Sequence, residues 1–478
     1  MNKSLSTTCL ASLLMLSGCS MEPTYERPDA PIDQQWPQSA SADCCSAKQA
    51  FEQDWRGFIL DNRLRQLIEL ALNNNRGLRQ FAASMEEARA GYAGAQAKLF
   101  PAIGIDTYAG RSKMPSTVRT PTGGDSSGSV ANTFQATAGF TSYELDLFGR
   151  IRSEKNSAKA RFEASEADYQ TARLALIGEV ASTWLSLKAN QNLLALAQST
   201  YDSQNHYGQL LRTSYNYGST ARIDVHQADA QTNTAAVQIN TYRMQVAQDM
   251  NALRVLVGQP VPAQLLPEGE LGKNLATADV PAGLPSSLIE RRPDIIAAEA
   301  LLRAANADIG AARSAYFPRL SLTSALGSLS GEFANLMSGP AGLWSVAVAG
   351  SLTVFDGGAR RAQVDASHAR YDGQTAAYEG TVQNAFREAA NALNARQEML
   401  SQVDSQKRLV VDYQEAWRQS RLRFEAGLDS YFSTMDAQRS LFTAQQQLLE
   451  MELAREVNQV NLYKALGGGW KPPLKVAM

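Results

Sequence analysis

The chain carries one architecture twice. Phe100-Pro101 opens FPAIGIDTYAG, and Phe317-Pro318 opens FPRLSLTSALG, 217 positions later. EARAGYAGAQAKLFP (87–101) is answered by AANADIGAARSAYFP (304–318), and LDLFGR (145–150) by LTVFDGGARR (352–361). GSTARIDVHQADAQ (218–231) is answered by GLDSYFSTMDAQRS (427–440), at an offset of 209. Four landmarks in one order at nearly one offset define a duplicated unit. Each unit reads as a helix, a strand pair and a very long helical hairpin.

The strand pairs show as changes of period. Ile103, Ile105, Thr107 and Ala109 alternate with Ala102, Gly104, Asp106 and Tyr108, and Phe134 to Leu147 alternates again. A Gly/Ser/Thr/Pro-rich loop (111–132) lies between. The second copy repeats this from Leu320 to Leu326 and from Trp344 to Phe355, around a loop near 327–342. Alternating strands about a polar loop make a hairpin. Small or polar residues on one face and larger apolar ones on the other fit a barrel between lipid and water. A soluble sandwich shows the same pattern.

The hairpin helices follow a heptad cadence. Phe162, Tyr169, Leu176, Val180, Trp184, Leu187 and Leu194 mark one arm, and Tyr378, Val382, Phe386, Leu393, Leu400, Val403, Val410, Tyr413, Trp417 and Phe424 another. Tyr431, Met435, Phe442, Leu449, Leu453, Val457 and Val460 continue after a turn at Gly427; the first hairpin turns at Gly218. A 60-residue helix is about 90 Å long. The other faces carry Gln, Asn, Thr and Ala, suited either to a water-filled lumen or to a solvated outer surface.

The N-terminus reads as a processing signal. Lys3 precedes the apolar run Leu5 to Leu16, and Leu16-Ser17-Gly18-Cys19 ends it. This pattern fits a lipoprotein signal cut before Cys19, whose thiol takes the lipid; Ser20 in place of Asp directs the product to the outer membrane. The chain then divides into signal (1–18), extended arm (19–60), first repeat (61–258), Pro-rich linker (259–285), second repeat (286–470) and tail (471–478). Strands are expected near 102–110, 134–147, 319–327 and 343–355, and helical hairpins near 153–258 and 361–466.

Charge is balanced, 45 basic against 47 acidic residues, so nothing points to nucleic acid. His206, His226 and His368 lack ligand spacing, and no Walker loop or GxGxxG is present. Catalysis and a cofactor are therefore not expected. Adjacent Cys44 and Cys45 suit neither a disulfide framework nor a metal site. A lipid-anchored coiled-coil spacer accounts for the heptads but leaves the strand hairpins unexplained.

LSGC (16–19), YELDLFGRIRS (143–153), LPSSLIERRPDIIAAEALLRAANADIGAARSAYFPRLSLT (284–323), FDGGARRA (355–362), SYFSTMDAQRSLFTAQQQLL (430–449) and VNLYKALGGGW (460–470) together resemble the outer-membrane factor family of tripartite efflux systems. These are the TolC-like ducts, and the likeness is nearest their lipidated, OprM-like multidrug-efflux branch. The resemblance implies a homotrimer with a twelve-stranded barrel, four strands per chain, above a periplasmic tunnel of the long helices. It implies a periplasmic adaptor at the tips near Gly218 and Gly427, and an inner-membrane transporter of the resistance-nodulation-division type. Metal-ion efflux and type I secretion ducts share the fold. The family's closing constriction falls on Phe432 and Asp436, with Arg439 beside it. Phe432 departs from the aliphatic residue common there, and Gln227 stands where the first copy would match Asp436.

Overall fold

The computed structural model describes residues 20–29, 31–32, 54–113, 130–271, 277 and 291–469. The signal, Cys19, Cys44, Cys45, residues 114–129 and the tail lie outside the described residues. The main helices are α1 (Asn62–Asn74), α2 (Arg76–Ala97), α3 (Arg150–Asn216), α4 (Arg222–Val257), α5 (Pro293–Ser314), α6 (Ala359–Glu425) and α7 (Tyr431–Ala465). The strands are β1 (Gly104–Lys113), β2 (Val130–Leu145), β3 (Arg319–Ser330) and β4 (Gly342–Ser351). The duplication is kept in element length: α2 and α5 each have 22 residues, and α3 and α6 each have 67. The compact units cut across the repeats. One gathers Met85–Ala164 and Ala298–Ala377 with the start of the arm; the other gathers Ser165–Ala297 and the chain from Tyr378, with residues around α1.

In the first unit the strands form one antiparallel sheet in the order β1-β2-β3-β4. Residues opposite one another on antiparallel strands share a face. Ile105 pairs with Ala138, Ala138 with Leu326, and Leu326 with Trp344. That face carries Ile105, Leu326, Trp344, Val346 and Val348, all more than 60% exposed. The opposite face is mainly small and polar, with Asp106, Gln135, Thr137, Ser321, Thr323, Ser345 and Ala347 beside the larger Tyr108, Leu329 and Leu343. The outer edges of β1 and β4 pair with no other described strand. Gly139 and Gly327 sit where a Cβ would strike the neighbouring strand's Ser324 or Ala136 carbonyl, so only glycine lets β2 and β3 approach. No described helix is long and apolar enough to cross a membrane.

The strand limits differ from the expected ones. β1 runs three residues beyond the expected 110, because its ladder continues to Lys113↔Val130. β4 stops at Ser351, not 355, because Ser351 faces the first residue of β3 and the ladder ends there. Leu352 and Val354 keep the alternation but pair with no described strand. The motifs after β2 and β4 then start the long helices. Asp146 accepts hydrogen bonds from the Ile151 and Arg152 amides, and Asp356 from the Gly358 and Arg360 amides. Each carboxylate supplies the acceptor that a helix N-terminus lacks. The described start of the arm is built into this unit: Asn156 donates to Glu22 at 2.9 Å and Asn306 to the Pro23 carbonyl at 2.8 Å.

The second unit holds the main core. Leu64, Leu67 and Ile68 of α1 pack with Val180, Trp184 and Leu187 of α3, Leu253 and Val257 of α4, and Leu462 of α7. Phe58 stacks on Tyr463 at 4.2 Å. Trp184 is fully buried, and its Nε1–H donates to the Leu265 carbonyl at 3.0 Å. Trp184→Ala leaves a cavity and an orphaned carbonyl, at a cost of about 3–5 kcal/mol. Thermal denaturation followed by far-ultraviolet circular dichroism should show the midpoint fall by several degrees; an unchanged midpoint would contradict this packing.

Candidate functional site

The site is built on the two hairpin tips. α3 ends at Asn216 and α6 at Glu425, and each is stopped by a left-handed glycine, Gly218 (φ 72°) and Gly427 (φ 71°). The turns repeat bond for bond. Gly218 and Ser219 amides donate to Tyr215 and Ser214; Gly427 and Leu428 amides donate to Phe424 and Arg423. A side chain at either glycine would be strained at that φ, so the sharp reversal depends on glycine.

Charge then separates the tips. Arg423 pairs with Asp429 across the second turn at 2.6 Å, and its guanidinium holds the Asp429 carboxyl below the usual range. In the first hairpin Arg212 pairs with Asp229 across the two arms.

The opening turns of α7 have two faces. Tyr431, Thr434, Met435 and Gln438 are buried. Phe432, 54% exposed, and the Asp436–Arg439 ion pair at 2.5 Å lie on the other face, four and three positions apart. The structure thus brings Phe432, Asp436 and Arg439, the residues on which the resemblance puts the constriction, together on one uncovered face. Within one chain the Asp436 carboxylate is matched by Arg439. At the corresponding place in the first copy, α4 presents exposed Ile223 and neutral Gln227.

Reasoning from sequence missed what joins the hairpins behind that face. Tyr207 of α3 meets Phe424 of α6 and Tyr431 of α7 in an aromatic knot, with ring centroids 5.4 to 6.4 Å apart. Tyr207 Oη donates to Glu425 at 3.3 Å, and Gln438 Nε2 donates to Ser203 Oγ at 3.1 Å. Inside the second hairpin, the Thr434 hydroxyl donates to the Ser420 carbonyl at 3.1 Å. Tyr431 had the heptad signal of a core residue. Tyr207 had none, and Ala416 occupies its place in the second copy.

Among the described residues no group of three or more His, Cys, Asp and Glu is arranged to hold a metal. The chain matches the outer membrane efflux protein family model over residues 67–259 and 284–468. The chain belongs to that family. It is an outer-membrane efflux channel, mainly helical with a four-stranded contribution to a transmembrane sheet. The toluene efflux pump outer membrane protein TtgC of Pseudomonas putida is 40% identical over 98% of this chain and 96% of its own length. The antibiotic efflux pump outer membrane protein ArpC of the same species is equally similar, over the same shares. The open-state crystal structure of the Neisseria gonorrhoeae MtrE outer membrane channel superposes with a TM-score of 0.85 at 32% identity, covering 94% of this chain and 98% of that one.

The Tyr431 hydroxyl is buried with no hydrogen-bond partner, and burial pushes its pKa up to about 12. A neutral phenol favoured in the folded state contributes stability that is whole below about pH 10. That contribution is lost as pH rises through 12. An alkaline titration at 295 nm, as the difference between wild type and Tyr431→Phe, should therefore show one phenol ionising near pH 12. A phenol titrating near 10 would contradict the burial.

Proposed function

We propose that three copies of this chain close a twelve-stranded barrel and a helical tunnel, forming the passive exit duct of a tripartite pump. The observation that carries this is the sheet in a single chain. Its apolar face is exposed, its other face is mostly small and polar, and neither of its edges pairs with another described strand. Backbone groups at an open edge find no partners in hydrocarbon, so such a sheet is stable in a bilayer only when closed. Three equivalent chains are the closure the family likeness suggests. Lipid on Cys19 would add an anchor at the outer membrane.

The conducted compounds are drugs or other small toxic molecules, in keeping with the solvent and antibiotic pumps to which TtgC and ArpC belong. The duct does no chemistry. A periplasmic adaptor engages the tips around Gly218 and Gly427, where Tyr217 and Leu428 are strongly exposed. An inner-membrane transporter of the resistance-nodulation-division type supplies the energy. The gate lies on α7: three Phe432 rings make an apolar plug, and three Asp436 carboxylates crowd together, each offset by its Arg439. Like charges gathered in one place resist joint ionisation unless compensated.

Asp436→Ala and Phe432→Ala should each raise single-channel conductance of the purified full-length protein in planar bilayers. Each should also sensitise cells to large antibiotics several-fold. Wild-type conductance and sensitivity in both variants would remove these residues from the gate.

A further inference from the structure

The duplication reaches a contact that the gate does not explain. In the first copy Asn75, which precedes α2, donates to the Leu256 carbonyl at the end of α4 at 2.8 Å. Its Oδ1 accepts from the Leu78 amide. Arg292, 217 positions later and just before α5, donates to the Ala465 carbonyl at the end of α7 at 3.0 Å. Ala465 stands 209 positions beyond Leu256. The crossing glycines match as well: a Cβ on Gly258 would strike the Asn74 carbonyl, and one on Gly467 would lie against Arg292. Both copies therefore tie the start of a 22-residue helix to the root of their own hairpin, at the same place.

The two ties differ in strength and reach. Asn75 is neutral. Arg292 is a charged fork, its side chain only 11% exposed. It binds Asp294 through Nε at 3.0 Å and Nη2 at 2.7 Å, and it reaches Glu388 of α6 through both Nη atoms at 3.0 Å. The second tie thus takes in the ascending arm; Glu179, the match of Glu388 in the first copy, is exposed. The fork also sits at the C-terminal end of α7, where the helix dipole favours a cation. Beside it lies a cavity of about 510 Å³ bordered by Glu388, Asn391 and Lys464. The flank of α6 is not packed solid here, so the ion triad carries the positioning that side-chain packing would otherwise supply.

We propose that Arg292 is a positioning residue that fixes the root of the second hairpin, and with it the resting place of the tip that bears the gate. From Glu388, α6 runs on to Glu425, about 55 Å at 1.5 Å per residue. A rotation of about 5° at the root displaces the far end by about 5 Å over that length. The first hairpin, held by a neutral amide, has the softer root. Breaking the triad loosens the closed position without touching the gate residues. The inference rests on the exit-duct reading and on a gate at the α7 tip.

The test uses the full-length protein with Arg292→Lys, which keeps the charge but loses the fork, and the near-isosteric Glu388→Gln. Asp436→Ala serves as the gate control. Trimer yield and resistance to heat in detergent are measured beside single-channel conductance. Both root variants should form trimers at wild-type yield and conduct at least twofold more than wild type. Wild-type conductance in both, with a rise in Asp436→Ala, overturns the role of Arg292 and leaves the gate standing. A rise in the root variants with none in Asp436→Ala keeps the root and removes Asp436 from the gate. Loss of trimers in both root variants overturns the proposal, because the triad would then serve assembly alone.

Discussion

A β-sheet edge in hydrocarbon leaves each backbone N–H and C=O along it without a partner, and each such group costs several kcal/mol. Among the described strands, β1 and β4 present two of these edges in every chain. The sheet beside them turns Ile105, Leu326, Trp344, Val346 and Val348 outward on one face. Lipid suits that face but cannot satisfy the edges. The remaining architecture follows from joining edge to edge between chains. Closure sets a ring of hairpin pairs, and each 67-residue helix is fed from a strand by a capped turn at Asp146 or Asp356.

Duplication makes that ring nearly regular. The 67-residue helices, their left-handed glycine stops and the 22-residue helices beside their roots agree between copies. Against so close a match the exceptions are informative. Phe432 and Asp436 replace Ile223 and Gln227 at the tips, and Arg292 with Glu388 replaces Asn75 with Glu179 at the roots. Both exceptions place charge or bulk on the second hairpin. A ring of alternately soft and firmly rooted hairpins has a built-in direction for opening.

Much of this was legible in the sequence, for identifiable reasons. Repeats, period changes, proline stops and helix-ending glycines are local signals, and they located the strands, hairpins and tips. Val180, Trp184, Tyr378 and Val382 were read as core from their spacing and are buried. Leu400 had the same cadence yet is 46% exposed, since spacing does not say whether a partner is present. Leu352 and Val354 alternate like a strand, but the ladder had already run out of β3. The Tyr207 knot and the Arg292 triad were hidden because their partners lie on other helices. Ala465 is 173 positions from Arg292, and Glu425 is 218 from Tyr207. No local pattern encodes such pairs.

The central claim is that open edges force assembly, and it is tested most directly by counting chains. Native mass spectrometry of the mature protein, released from detergent micelles, should give a single assembly of three chains. A monomer that retains its β-sheet circular dichroism in detergent would contradict the account, because its edges would then be stable unpaired.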